Sequence, residues 1–452
     1  IVIVGSMCRV PGRHSPSRKG DPLRIGMPCL GAVMIVALAA CATPPEIAPL
    51  RAEVTARSAR LPPTLADSNF GQAIARAVAG SPQVGRSQAS LREREADLLA
   101  AGGLGLPRLS LGLRPGGGAG FEVAAFSAIT QLVFDAGAGR ARERAAEARV
   151  LGEVASRIDA QAQAAFAAVA IWAEVAATRE LLSAARASLG ALEQIQEQIA
   201  ERTAAGAGAS SDLLIAQGRL ANDRAGVVEA ETSAARAEAA FTEIFGHAPA
   251  ARLELPPVAP ALPKGSLNDT PLVLQARADV LAAEADMAAA RAGRMPALSV
   301  QVTGTEGDGL SSGPVVEQDV APSRGMTARL TAAEARLDAR QVNLDATQRE
   351  LQSRLNQLRA EAAGAAARLT AARAAVEANR ANLAAARELF EVGRSDLIAL
   401  LDAERETLAS ERALITAERD KVVAGHALLA VTGDNLAVFG IDAIVPESTS
   451  EK

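Results

Sequence analysis

The sequence predicts a mainly α-helical protein with a small β part, built from two tandem repeats, and three observations predict it. The first is an internal duplication. Thr270-Pro271 stands 189 residues after Ser81-Pro82, and Met295-Pro296-Ala297-Leu298-Ser299 stands 189 after Leu106-Pro107-Arg108-Leu109-Ser110. Beyond that point the interval is 187: Ala145-Ala146-Glu147-Ala148-Arg149 recurs as Ala332-Ala333-Glu334-Ala335-Arg336, Gly206 as Gly393, Leu213-Leu214-Ile215-Ala216-Gln217 as Leu400-Leu401-Asp402-Ala403-Glu404, and Gly246 as Gly433. Landmarks in one order at one spacing mark two copies of one structural unit. The second observation is composition. Of 452 residues 49% are hydrophobic but only 2% aromatic, with no Tyr and one Trp, so Ala and Leu supply the apolar surface, as in long helices packed at close range. The third is a pair of stretches, from Ala138 to about Thr203 and from about Thr327 to Glu391, in which nothing breaks a helix.

Residues 1–40 read as an export signal. His14, Arg18, Lys19 and Arg24 form a positive n-region, Cys29 to Ala40 is apolar but too short for a stable span, and Leu38-Ala39-Ala40-Cys41 resembles the bacterial lipobox, whose Cys is lipidated as the first mature residue; an ordinary signal peptide cut after a small residue is the other reading. Ala42 in place of Asp favours the outer membrane by the same resemblance. Cys8 and Cys29 lie in the removed segment, so Cys41 is the sole mature cysteine and no disulfide forms within one mature chain. Residues 41–66, with Pro44, Pro45, Pro49, Pro62 and Pro63, are a lipid-anchored linker.

Repeat one covers residues 67–250. It opens with a helix of roughly residues 70 to 101, interrupted at Ser81-Pro82, where a proline suits a first helical turn. Leu109, Leu111 and Leu113 alternate with Ser110 and Gly112 as a strand, Gly116-Gly117-Gly118 turns, and Val123 to Phe134 returns, a β-hairpin. A linker, 251–265, leads to repeat two, 266–440, followed by a tail, 441–452. The second hairpin runs from Leu298 to about Val320 through a Gly/Ser-rich turn, and Pro314, Glu317, Asp319 and Pro322 predict a poor second strand.

The helical stretches of some 65 residues make rods of roughly 100 Å at ~1.5 Å per residue. In the second, Leu337, Leu344, Leu351 and Leu358 recur every seven residues, as do Leu369, Val376, Leu383 and Phe390, the two series offset by eleven. That offset is a stutter, which locally unwinds a left-handed supercoil, and repeat one has its own from Ile171 to Leu182. Each rod ends at a glycine-bearing turn, Gly206 to Ser211 or Gly393 to Ser395, before a shorter helix ending at Gly246 or Gly433. Gly at the stop and Ser at the start are the expected cap chemistry. The last short helix carries the seven-residue series Leu401, Leu408, Ile415, Val422 and Leu429.

A net charge of −5 with Lys and Arg scattered along helical faces gives no nucleic-acid partner. The histidines His14, His247 and His426 have no ligand spacing, and no GxxxxGK[ST] loop occurs, so neither metal nor other cofactor is expected and no enzyme is read. Gly206-Ala207-Gly208 lacks the lysine and is a turn. Trp172, near the stutter, is a packing residue.

The pattern resembles the TolC-type outer-membrane efflux channel family over roughly residues 67 to 440. The resemblance rests on the Pro-bounded hairpin, on Gln131-Leu132-Val133-Phe134-Asp135-Ala136-Gly137 leading into the long helix, on Phe390-Glu391-Val392-Gly393 before Leu400-Leu401-Asp402-Ala403-Glu404, and on Phe245-Gly246 and Thr432-Gly433. It implies a homotrimer with a twelve-stranded β-barrel in outer-membrane lipid, a helical tunnel across the periplasm, and a periplasmic adaptor and an ABC- or RND-type inner-membrane pump as partners. The hairpins depart from it in lacking Tyr girdles. The ending without Gly-Gly-Trp looks more like secretion-type members, the lipobox more like drug- or metal-efflux members. A periplasmic adaptor, a coiled-coil scaffold lipoprotein and a degenerate, non-conducting family member are the other readings. An adaptor usually has one helical hairpin within split β-domains, against two hairpin-bearing repeats here.

By the same resemblance Asp212 and Asp402, just after the tip turns, match acids lining the constricted tunnel entrance, where trimer symmetry would make carboxylate rings. The helix macrodipole alone also favours an acid at Asp212. Asp396 reads as a cap, and Ala399 stands where the family often has a second acid. The turns carrying Gly206, Ser210, Gly393 and Ser395 match the adaptor-docking tips, and are otherwise Gly-rich helix connections.

Overall fold

The computed structural model describes residues 47–56, 61–102, 106–115, 123–205, 209–261, 267–305, 309–317 and 323–441. Among the described residues three helices come first, α1 (Ala48–Ala56), α2 (Asn69–Gly80) and α3 (Pro82–Gly102), with Pro82 opening α3 as the sequence leads one to expect. Strands β1 (Arg108–Pro115) and β2 (Val123–Phe134) precede the long helix α4 (Ala138–Ala204) and its shorter neighbour α5 (Ser210–Phe245). The order then recurs: α6 (Pro271–Ala292), β3 (Ala297–Thr305), β4 (Gly309–Glu317), α7 (Ser323–Glu391) and α8 (Leu397–Thr432), closed by α9 (Asn435–Val438). The long helices have 67 and 69 residues and the two shorter ones 36 each. Among the described residues no helix is long and apolar enough to cross a membrane.

The chain divides into two compact units, both of which take part of α4 and α7. The first holds the sheet, four antiparallel strands in the order β1-β2-β3-β4. The expected poor second strand is overturned, since β4 pairs with β3 along its whole length, with Pro314 opposite Val300. Much of the Gly/Ser-rich stretch read as a turn, Gly309 to Gly313, is strand. Backbone pairing needs no particular side chain, and β4 is an edge strand, where a sheet admits proline. The Gly116-Gly117-Gly118 turn lies outside the described residues. At Gly112 a Cβ would fall 2.4 Å from Phe126 Cε1, so the paired aromatic ring takes the space a side chain would need.

The strand-to-rod corner accounts for the Phe-Asp-Ala-Gly pattern. The Asp135 carboxylate accepts from the backbone N–H of Gly137 (3.0 Å) and Gly139 (2.5 Å), satisfying donors that α4 leaves open at its start. Ala136 has φ 56°, left-handed for a residue with a Cβ, and is fully buried with Ala138 and Ala292 beneath Phe134.

In the second unit α4 lies against α5, and α7 against α8, with rungs of opposite charge beside each seam. Arg373, Arg380 and Arg387 on α7 meet Glu418 (3.2 Å), Glu411 (2.8 Å) and Glu404 on α8, each step of seven answered by a step of seven back. Arg179, Arg186 and Glu193 on α4 meet Glu238 (2.7 Å), Glu231 (2.7 Å) and Arg224 (3.1 Å) on α5. At the interval of 187 Arg186–Glu231 corresponds to Arg373–Glu418, and Glu193–Arg224 to Arg380–Glu411 with both signs exchanged. The seam residues Leu351, Leu358, Leu369, Val376, Leu383 and Phe390 are buried. Between Leu358 and Leu369 the stutter borders a cleft of 340 Å³, lined among others by Ala365, Ala424 and Ala427.

Trp172 is a packing residue, as expected. Its ring meets Phe70 (5.1 Å), Phe241 (5.8 Å) and Phe245 (5.8 Å), and Phe70 meets Phe439 (5.9 Å). Five of the ten aromatic residues are thus gathered in one cluster of this unit.

Candidate functional site

The sheet is inverted relative to that of a water-soluble protein. Its register puts Leu109, Leu111, Leu113, Ile129, Val300 and Val316 on one face, opposite Ser110, Thr130, Ser299, Gln301 and Thr303. The apolar face is open: Leu109, Leu111 and Leu113 are 61%, 75% and 74% exposed and Val316 60%, while on the other face Ser299 is buried, Thr130, Gln301 and Thr303 are half-buried and Ser110 is exposed. A soluble antiparallel sheet turns its polar face outward. Strands of 8, 12, 9 and 9 residues match the roughly 9–11 that cross a hydrocarbon layer when tilted. Ser127 and Ser312 share the apolar face, and among the described residues none of its exposed large hydrophobic side chains is aromatic.

The second unit brings the two rod ends together. Leu192, Ile195 and Ile199 of α4, Ala216 and Leu220 of α5, Leu383 and Phe390 of α7, and Leu397, Leu400, Leu401 and Ala403 of α8 form one buried cluster. The Arg202 guanidinium lies 5.0 Å from the centre of the Phe390 ring, a cation–π contact that adds to the apolar packing.

Gly393 ends α7 in the left-handed conformation (φ 72°), with the Arg394 N–H donating to Leu389 O (2.8 Å), and Gly246 and Gly433 end α5 and α8 likewise (φ 73°). The serines are not caps. Asp396 caps α8, its Oδ1 accepting from the Ala399 N–H (2.8 Å), as its sequence position indicates, and leaves Ser395 in the turn. On α5 the cap position is Ala209, extended and without a side-chain bond, so Ser210 is already the first helical residue. Gly206 and Cys41 lie outside the described residues.

Asp402 and Asp212 differ in their surroundings. Asp402 is half exposed and shares its Oδ1 between Arg219 of α5 (3.8 Å) and Arg405 of its own helix (3.5 Å). Asp212 sits in the first turn of α5 and accepts from the Ser211 hydroxyl (3.3 Å). The shared Leu-Leu-x-Ala pattern is used unequally: Leu401 is buried, while its counterpart Leu214 and the adjacent Ile215 are exposed. A cleft of 240 Å³ between α5 and α8 is lined by Arg219, Arg405, Arg412, Asp223 and Glu404.

Glu404 is the acid that the sequence reading missed. Its side chain is 7% exposed and takes two bonds from the Arg387 guanidinium, Nε at 3.1 Å and Nη2. Repeat one has Ala200 and Gln217 at the corresponding positions, so only α7–α8 carries an ionic rung there. The seven-residue spacing of Arg373, Arg380 and Arg387 against Glu404, Glu411 and Glu418 is the signal that could have found it.

A sheet with its apolar face outward, joined by way of paired long helices, defines the fold of the outer-membrane channel proteins. VceC from Vibrio cholerae shares it with a TM-score of 0.71, 18% identity, and coverage of 81% of this chain and 96% of that one. The open-state MtrE channel of Neisseria gonorrhoeae gives 0.72 and 17%, covering 84% and 92%. The outer-membrane channel OprN gives 0.72 and 21%, covering 84% and 95%. No curated protein matches. Residues 262–434 match the outer membrane efflux protein family, which carries the resemblance to the TolC type; that family consists of channels and not of enzymes.

Proposed function

We propose that this chain is the outer-membrane channel component of a tripartite efflux or type I secretion system, a passive conduit across periplasm and outer membrane. The observation that carries the proposal is the inverted sheet. Its two edges, β1 and β4, are open within one chain, and an open edge cannot stand in hydrocarbon because its backbone groups have no partners there. Three copies, each the two tandem repeats read above, would pair β4 of one with β1 of the next and close twelve strands, apolar outside and polar within. The helices would continue the passage through the periplasm. The tips carrying Gly206, Ser210, Gly393 and Ser395 would meet a periplasmic adaptor, and the driving energy would come from an inner-membrane pump.

On this reading Asp212 and Asp402 stand at the periplasmic entrance. Residues 1–40 are cleaved, and an acylated Cys41 adds a lipid anchor to a barrel without aromatic girdles. Full outer-membrane retention of a Cys41→Ala variant would remove the anchor from the proposal. The barrel is tested by charge placement. A Lys at Leu111 would face lipid, where a cation near the bilayer midplane costs about 2–4 kcal/mol. Leu111→Lys should therefore lower the yield of folded protein in liposomes strongly, and Ser110→Lys, on the polar face, should leave it near the parent value. Equal tolerance of both substitutions would exclude the barrel.

A further inference from the structure

The segment between Gly246 and residue 261 is bound to the helices of the second unit through its own backbone carbonyls. Three side chains hold it. The Arg179 guanidinium donates to Ala250 O (2.5 Å) and Ala251 O (3.3 Å), the Trp172 indole N–H to Glu254 O (2.9 Å), and the His426 Nε2 to Pro257 O (3.0 Å). Arg179 and Trp172 belong to α4 and His426 to α8, so the segment is a strap tied to two helices. Close packing accompanies the ties, since a Cβ on Gly425 would fall 3.1 Å from the Ala259 Cβ.

One of the three ties can titrate. His426 is 1% exposed and its ring stacks on Phe439 at 6.0 Å and 12°. Donation to Pro257 O puts the proton of the neutral ring on Nε2, and the buried Nδ1 has no partner. Protonation would therefore place a charge and an unmatched N–H donor in an apolar site. The charged residues nearest along the chain are Asp420, Lys421 and Asp434. Asp420 is paired with Arg419 (2.7 Å) and Arg368 (3.8 Å), and on the strap Arg252 and Glu254 face one another (3.8 Å). Burial holds the imidazole below its ordinary range, and the Pro257 carbonyl opposes that only in part.

We propose that the segment joining the two halves of the chain is an acid-sensitive strap, laid across α4 and α8 by Arg179, Trp172 and His426 and loosened when His426 takes up a proton. The sign follows from the depressed value. The neutral ring is favoured in the folded state, so its contribution is complete above about pH 6.5, the unfolded histidine value, and is lost as the pH falls below it.

The chain supplies its own reporter, because Trp172 is its sole tryptophan and is bonded to the strap. Purified full-length protein in detergent is titrated from pH 7.5 to 5 with two readouts, Trp172 emission and amide hydrogen exchange of residues 250–261. The expected result is a reversible emission change below pH 6.5, with exchange of those amides about tenfold faster once corrected for intrinsic pH dependence. In His426→Gln, whose amide can still donate to Pro257 O, the response should be flat. A wild-type chain without either change, or a response that persists in His426→Gln, overturns the proposal. Exchange of the imidazole C2 hydrogen in the wild type tests the same point without a variant, and a midpoint at or above 6.5 refutes it.

Discussion

At the scale of single residues the decisive feature of the tip is that Asp402 is matched by two arginines. A free carboxylate at a narrow, low-dielectric entrance attracts cations, but one shared by Arg219 and Arg405 presents little net charge. Both pairs are long and half exposed, so each contributes at most ~1 kcal/mol and can open readily. If the proposed entrance is right, Arg219→Ala should strengthen divalent-cation block of reconstituted channels by up to about fivefold, and Asp402→Ala should weaken it. Block unchanged in both variants would take these residues out of the gate. The acid itself was legible, through its place after Leu400-Leu401. Its neutralisation was not, because Arg219 lies far away in sequence and meets Asp402 only once the two rod ends pack together. Ser395 failed as a cap for a local reason: Asp396, one residue beyond it, already offers a carboxylate to the Ala399 N–H.

At the scale of elements the charged rungs distinguish the two helix pairs. Charge identity differs between Glu193–Arg224 and Arg380–Glu411, but complementarity is kept, as expected if each rung acts as a pair across its own seam. Glu193→Arg would place two guanidinium groups opposite one another and should lower thermal stability by a few tenths to 1 kcal/mol. Adding Arg224→Glu should restore it by recreating the arrangement found in the second pair. Failure of the second change to rescue the first in thermal melts would show that the rung is not a unit. Element types and helix ends were legible because apolar residues recur every seven positions over many turns and because Gly393 follows the long helix α7 while Gly246 and Gly433 stop the shorter α5 and α8. Strand β4 was the element misread. Pro314, Glu317 and the surrounding glycines and serines carry a low strand propensity, and pairing to β3 overrides it. No reading of the β4 segment by itself could include that partner.

At the scale of the whole molecule the chain carries two kinds of surface. The sheet exposes apolar side chains where a soluble protein would bury them, and the helices bury Ala and Leu along seams edged with ion pairs. The scarcity of aromatics was legible from composition. Their gathering around Trp172 was not, because Phe70, Trp172, Phe241, Phe245 and Phe439 meet only in the folded chain. The central claim is that three such chains form a conducting pore in the outer membrane. Protein extracted from that membrane and measured by native mass spectrometry, then reconstituted in planar bilayers, should have the mass of three chains and open stepwise conductances. A soluble periplasmic monomer, or a membrane-bound trimer that conducts under no applied voltage, would contradict it.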